Sequence, residues 1–365
     1  MTKLCFDFDF IIFDAVCIAE ERFIKAKHIP SGREMEFKNK TELWGHHAKK
    51  AGGWIAEQNK EAGNDYWKPS DFEVVECQRP KPFKVKGVDP FTKEPNEKYD
   101  YFISPWEGAK NVLDKKIKDI CDKLGTNEYY GFTGSGKTFR EDVATIIPYK
   151  GNRDKMLRPL LLDKMKEYVC QRHSAKMVSG LESDDYCNIE THNGYLNWKY
   201  FGEKDEDKII QVAEDKDTKQ CQGFHFNPNK DKSARLIEGF GSLWLNAEGD
   251  VDGCGRLWLY YQVASEDTAD NYCANCASDV KWGSKSAYNE LVDCKDDKEA
   301  FEALVRVFKK LYPSPKTITS VQGKEIEIDW LYVLTECFNL AKMLRSEDEK
   351  LTDVKAVLDK LKISY

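Results

Sequence analysis

The sequence lacks any apolar run approaching the ~20 residues that a bilayer-crossing helix needs, so a membrane span is not expected. Its most apolar opening, Leu4 to Ile18, is broken by Asp7, Asp9 and Asp14, which argues against a secretory signal. Positive charge is not in surplus either. The formal net charge of −7 excludes a simple basic coat for nucleic acid, yet it is compatible with an acid-rich site that counts as negative until cations bind. Paired metal-binding cysteine motifs are missing. Cys273-x-x-Cys276 stands alone, and Cys254 and Cys294 lie at irregular spacing, a poor match to a zinc site. With no signal, the twelve cysteines read as free thiols in a reducing cytoplasm. No convincing Ser–His–acid triad is present. His46 and His47 are adjacent and suit neither face of a helix as a chelating pair, and His225 reads as a core or edge histidine.

What is present is a folding-competent chain of 365 residues, 41% hydrophobic and 33% charged, for which length suggests about two domains. Its organising stretch is Val178-Ser179-Gly180-Leu181-Glu182-Ser183-Asp184-Asp185. On a helix Glu182 and Asp185 share a face, and acids are favoured in a first helical turn by the positive end of the dipole. Further acids recur in pairs at Asp7/Asp9, Asp215/Asp217 and Asp267/Asp270, each beside an apolar run. Carboxylates gathered on one spot repel unless cations hold them, so the pattern points to a Mg²⁺ or Mn²⁺ site.

Leu4 to Phe13 reads as a buried strand running into a helix, with Phe6, Phe8 and Phe10 alternating with Asp7 and Asp9. Six of the twelve prolines fall between Asn64 and Trp106, which predicts an irregular insertion at 64–106 whose Arg79, Lys81, Lys84 and Lys86 form a solvated loop. Glu107 to Leu124 is an amphipathic helix stopped by Gly125. Gly131-Phe132-Thr133-Gly134-Ser135-Gly136-Lys137-Thr138 fits the P-loop pattern to the letter. Its context is poor, because Glu128-Tyr129-Tyr130 is a short, polar lead-in and Pro148 soon interrupts the following helix. From Lys137 to Lys176 there are ten lysines and arginines against five acids, as a segment that attracts phosphates would require. Ile209–Ala213 is a second buried strand delivering Asp215 and Asp217 to its end, where α/β sheets bind ligands, and Gly223–Phe226 is a third. Trp282–Ala287 opens a helix behind a glycine turn. Glu299–Leu311, Trp330–Arg345 and Val354–Leu361 have the apolar spacing of packing helices.

Four blocks occur in order: Tyr149-Lys150-Gly151-Asn152-Arg153, Gly180 to Asp185, Asp215-Lys216-Asp217, and Asp267-Thr268-Ala269-Asp270-Asn271. Together they resemble the flap-endonuclease superfamily, most closely the bacteriophage 5′→3′ exonucleases, and Asp7-Phe8-Asp9 resembles that family's opening aspartate motif. The match runs from about residue 4 to residue 290. The resemblance implies an α/β, Rossmann-like (PIN-like) core with a mainly parallel sheet, a helical arch, and a C-terminal helix–hairpin–helix type region. Residues 1–250 would be the catalytic domain, with the arch at about 135–176, and 251–365 a helical DNA-binding and packing region. It further implies one Mg²⁺ or Mn²⁺ on Asp7, Glu182 and Asp184, and a second on Asp185, Asp215, Asp217, Asp267 and Asp270. Lys150 and Arg153 would steer the scissile phosphate beside Asp185, and Tyr149 would stack on a base. Gly283, Ser284 and Lys285 would grip the duplex backbone, with K⁺ at the hairpin. The implied partner is DNA with 5′ ends, flaps or nicks, or an RNA–DNA hybrid, cut by a monomer during phage replication or recombination in the bacterial host cytoplasm.

Two departures stand out. Thr133-Gly134-Ser135 holds no acid where many members place an aspartate, and Cys273-Ala274-Asn275-Cys276 lacks the usual proline-glycine turn. The other readings are a DNA-binding accessory protein that no longer cuts, and a P-loop nucleotidase using Lys137.

Overall fold

Leu4, Cys5 and Phe6 are fully buried, and a strand apolar on both faces belongs inside a parallel sheet. In the structure, a computed structural model that describes residues 1–46 and 52–365, the strand Lys3–Asp7 lies at the centre of such a sheet. Ile209–Val212 and Tyr129–Thr138 flank it, both parallel. Gly223–Phe226 and Ala175–Gly180 extend the sheet in parallel, and Arg235–Ile237 closes one edge antiparallel. The fold is α/β with a mainly parallel, six-stranded sheet. Gly131 lets the two central strands meet: a Cβ there would lie 2.1 Å from the Phe6 carbonyl oxygen.

The expected strand alternation through Phe8 and Phe10 is corrected. The strand ends at Asp7, and Phe8–Cys17 is helical. Phe8, Ile11, Ile12, Ala15 and Val16 are fully buried at helical spacing, and that longer pattern outweighs the two-residue alternation. Asp7 therefore closes the strand, and Asp9 enters the first helical turn.

The chain forms two compact units, Met1–Ile11 with Ile117–Met156 and Lys166–Tyr365, and Ile12–Lys116 with Leu157–Met165. Residues on both sides of position 250 lie in the first. There a helical layer buries one shared core. Asp297–Leu311 turns Phe301, Leu304, Phe308 and Leu311 inward, and Asp296 caps it by accepting the Glu299 N–H at 2.9 Å. Each such side chain contributes roughly 1.5–3 kcal/mol of burial. Gly255–Ala264, Trp330–Ala341 and Val354–Lys360 complete the layer.

In the second unit Glu20–His28 pairs with both Arg33–Phe37 and Phe72–Pro80 in an antiparallel sheet. Ile24, Phe37, Leu43, Ile55 and Phe72 make its core. The insertion expected to be irregular contains the nine-residue strand Phe72–Pro80 and a hairpin, Phe83–Val85 with Tyr101–Ile103. Its prolines fall at strand ends, in loops and at the first positions of helices, as at Pro69 and Pro105, where a missing N–H is harmless. The reading of His46 and His47 lies partly outside the described residues, which omit His47. No helix among the described residues is long and apolar enough to cross a membrane.

Candidate functional site

Four segments of the first unit deliver acids to the carboxyl edge of the central strands. Asp7 arrives at the end of Lys3–Asp7 and Asp9 one turn later. Glu182 caps the helix Ser183–Tyr200, placing Asp184 and Asp185 in its first turn. Asp215 and Asp217 follow Ile209–Val212, and Asp267 and Asp270 follow Gly255–Ala264.

Asp7 is buried, and its Oδ1 accepts from the Ser183 hydroxyl at 2.9 Å and the Asp9 N–H at 3.1 Å. Burial, then the charge of Asp9, raise its pKa to about 7. Asp9 is fully engaged. Its carboxylate accepts from Thr133 Oγ1 at 2.5 Å, Gly134 N at 3.0 Å and Ser183 Oγ at 3.0 Å, with Lys166 Nζ at 3.0 Å. A Cβ on Gly134 would stand 3.2 Å from Asp9 Oδ2, so Asp9 sits against the position that has no acid of its own.

Glu182, Asp184 and Asp185 bring ligand-capable oxygens within 4.8 Å of one another, the one such grouping among the described residues. The three differ sharply in partners. Glu182 accepts from Arg140 at 3.3 Å and receives Lys150; burial would raise its pKa, but these two cations outweigh it and hold it below the usual range. Asp184 has no ion-pair partner among the described residues and accepts only the Asp185 N–H, at 2.8 Å. Burial, Glu182, Asp185 and Asp7 push its pKa far up. Asp185 is fully buried and its two oxygens are held by Arg140, at 2.6 and 2.9 Å, in a two-pronged pair. Arg140, the largest fully buried side chain, also donates to the Leu340 and Lys342 carbonyls at 3.1 and 2.7 Å. Asp185 in turn accepts the Leu344 N–H at 3.2 Å.

The same C-terminal stretch supports the third acid segment. Asp217 accepts from the Gln262 amide; Gln262 meets Gln220 at 2.6 Å, and Gln220 reaches Ala341 O at 2.8 Å and Met343 N at 2.9 Å. Burial and Asp215 push the Asp217 pKa well up. Asp215 is exposed at the rim. Asp267 is matched by Lys216 at 2.9 Å; burial opposes the effect, yet Lys216 holds its pKa low. Asp270 is raised chiefly by burial, with Lys150 pulling against it.

Tyr149, Lys150 and Arg153 are brought to these acids, but not as an open surface. The Tyr149 hydroxyl lies 3.1 Å from Glu182 Oε2 and 2.8 Å from Asp270 Oδ2, and its ring is 6% exposed. The expected stacking role is corrected on that ground: a ring packed in the core has no free face for a base. Lys150 bridges Glu182 and Asp270, and Arg153 reaches Asp270 at 3.2 Å. Backbone bonds from Lys150 to Asp270 O, at 2.9 Å, and a side-chain bond from Asn271 to Pro148 O, at 2.8 Å, join the two segments.

Gly283, Ser284 and Lys285 start the helix Ser284–Leu291, and no described hydrogen bond or ion pair links them to the acids. The P-loop alternative is corrected: Tyr129–Thr138 is a strand through the whole motif, Lys137 is exposed, and the helix that follows has five residues. The cysteines do not gather into a group of three among the described residues; Cys273 and Cys276 are free thiols that share a hydrogen bond. Sequence reasoning gave Arg140, Ser183 and Gln262 no role in the site. Arg140 carried no signal of its own: it lies between the capping pair Thr138 and Glu141, and no spacing rule pairs it with Asp185.

No protein-family model matches the chain, and no curated protein matches its sequence. The donors near Asp184 are carboxylate oxygens, the hard set that suits Mg²⁺ or Mn²⁺.

Proposed function

We propose that the acid cluster holds divalent cations and that the protein is a metal-dependent, structure-specific 5′→3′ exonuclease or flap endonuclease. The observation that carries this reading is Asp184, half-buried beside Glu182, Asp185 and Asp7 with no cation of the described chain paired to it. A carboxylate crowded by three others is costly to ionise unless a cation is supplied from outside. Asp7, Glu182 and Asp184 would hold one ion, and Asp215, Asp217 and Asp270 a second. Asp267 is committed to Lys216, and Asp185 to Arg140, so both act by fixing their neighbours. Such ions, when bound, would supply activation of water and stabilisation of the leaving oxygen. Lys150 and Arg153 would attract the scissile phosphate, Lys150 turning from Glu182 as ions take over its charge. A PIN-like description of the core and a backbone-gripping role for Gly283 to Lys285 belong to the same reading.

The cations already resting on Glu182 favour a second reading, a DNA binder that does not cut. A cleavage assay separates the two. On 5′-labelled flap, nicked-duplex and single-stranded DNA, the wild type is expected to release short 5′ products with Mg²⁺ or Mn²⁺ and none in EDTA. Asp184→Asn is expected to lower the rate by about a hundredfold or more, the upper range for disturbing groups around a metal. Undiminished cleavage by Asp184→Asn would sink the nuclease reading, and binding without product in either metal would favour the binder.

A further inference from the structure

The hairpin of the second unit, Phe83–Val85 with Tyr101–Ile103, has two unlike faces. Phe83 packs onto the helix Pro105–Leu124: a Cβ on Gly108 would lie 2.0 Å from its ring. Successive strand residues point to opposite faces, so Lys84 points away from that helix; Lys86 follows the strand and is exposed. Phe102 is the register partner of Lys84 and stands on the same outward face, 67% exposed. Phe91, in the connection between the strands, is 89% exposed. Lys81, Lys84 and Lys86 fall within six positions that contain no acid, in a chain whose net charge is −7; Arg79 just before them is paired with Glu21 and Glu36. Lys84 shares its charge with Asp100 at 2.8 Å, while Lys81 and Lys86 have no ion-pair partner among the described residues.

A phenylalanine left in water is ordinary; one set opposite a lysine on an exposed strand face, with a second exposed lysine two positions on, is a combination with a matching ligand. A nucleobase offers a flat π-face to the ring, and the phosphates on either side of it offer charge to the lysines. An apolar protein surface would satisfy the ring and strand the lysines. We propose that this face binds single-stranded nucleic acid, with a base stacked on Phe102 and phosphates drawn to Lys84 and Lys86. The proposal does not rest on the acid cluster being catalytic, since that cluster belongs to the first unit.

The test is fluorescence anisotropy of short labelled oligo(dU) and oligo(rU) with the full chain, in EDTA at low salt. Phe102→Ala is expected to weaken binding about tenfold, as for loss of one stacked base, and Phe102→Tyr to retain it. Lys84→Ala with Lys86→Ala is expected to flatten the dependence of log K on log salt, by about 0.7 for each phosphate no longer neutralised. Unequal binding of the two oligomers would identify the sugar preferred. No binding by the wild type, or Phe102→Ala within about twofold of it, would overturn the proposal. Loss of cleavage in Asp184→Asn, read with Mg²⁺, and loss of affinity in Phe102→Ala, read in EDTA, report separately on the two readings.

Discussion

Methionine in place of Arg140 is expected to destabilise the first unit by about 3–5 kcal/mol, the range for removing one partner of a buried ion pair. Asp185 would be left fully buried with its charge unmatched, and the Leu340 and Lys342 carbonyls would lose their donor. Arg140→Met combined with Asp185→Leu should recover much of that loss, because the penalty comes from the stranded charge and not from the missing bond. Urea unfolding followed by circular dichroism measures both variants. A single variant within about 1 kcal/mol of wild type would mean that Asp185 finds water or a proton at little cost.

The second large effect is a stability that falls with rising pH when metal is withheld. In the unfolded chain Asp7 gives up its proton near the ordinary aspartate value of 3.8, whereas in the folded protein it keeps it to about 7. Between those values the folded state binds more protons than the unfolded one, so stability declines as pH rises, by roughly 4 kcal/mol for this carboxyl at the usual conversion. Asp184 and Asp217, also raised, act in the same direction. Glu182 and Asp267, whose pKa values are lowered, contribute stability that disappears only as pH drops below the ordinary carboxylate range. The metal-free protein should therefore be most stable in mild acid, and millimolar Mg²⁺ should remove most of the decline by binding the ionised acids. Unfolding curves in EDTA and in Mg²⁺ across this range decide the matter. A flat profile in EDTA would mean that the acids are solvated in solution.

The α/β class and the buried strands at Leu4 and Ile209 were legible in sequence because these runs are mostly apolar and acids follow them, and the strand at Gly223 from its paired Phe224 and Phe226. The packing helices were legible from spacing alone, as in Phe301, Leu304, Phe308 and Leu311. Asp9 was misplaced because Phe6, Phe8 and Phe10 obey the strand period while Phe8, Ile11, Ile12 and Ala15 obey the helical one, and the longer pattern prevailed. The strand hidden among prolines at Phe72–Pro80 was missed because composition registers prolines without showing which N–H groups the sheet requires. The P-loop match misled for a related reason: Gly131 serves close contact with the strand at Phe6, and Gly134 leaves room for the Asp9 carboxylate. The acids of the site were visible as motifs, but which of them are spent on partners was not. That division depends on Arg140, Lys150 and Lys216, whose pairing spans sequence distances no local pattern encodes.

Asp7 and Thr133 lie on neighbouring strands, yet the whole of Ile12–Lys116 is threaded between them. Joining those strands closes a loop of more than a hundred residues, at an entropic cost that grows only with the logarithm of its length. If Ile12–Lys116 orders first, the loop to be closed is effectively shortened, and the central strands can then meet at far lower cost. Asp7 and Asp9 would acquire Ser183, Thr133 and Gly134 as partners late, after the second unit has formed. Substitutions in the core of that unit, such as Phe72→Ala, are then expected to slow the appearance of the acid cluster while leaving its final geometry intact, with stopped-flow refolding as the readout.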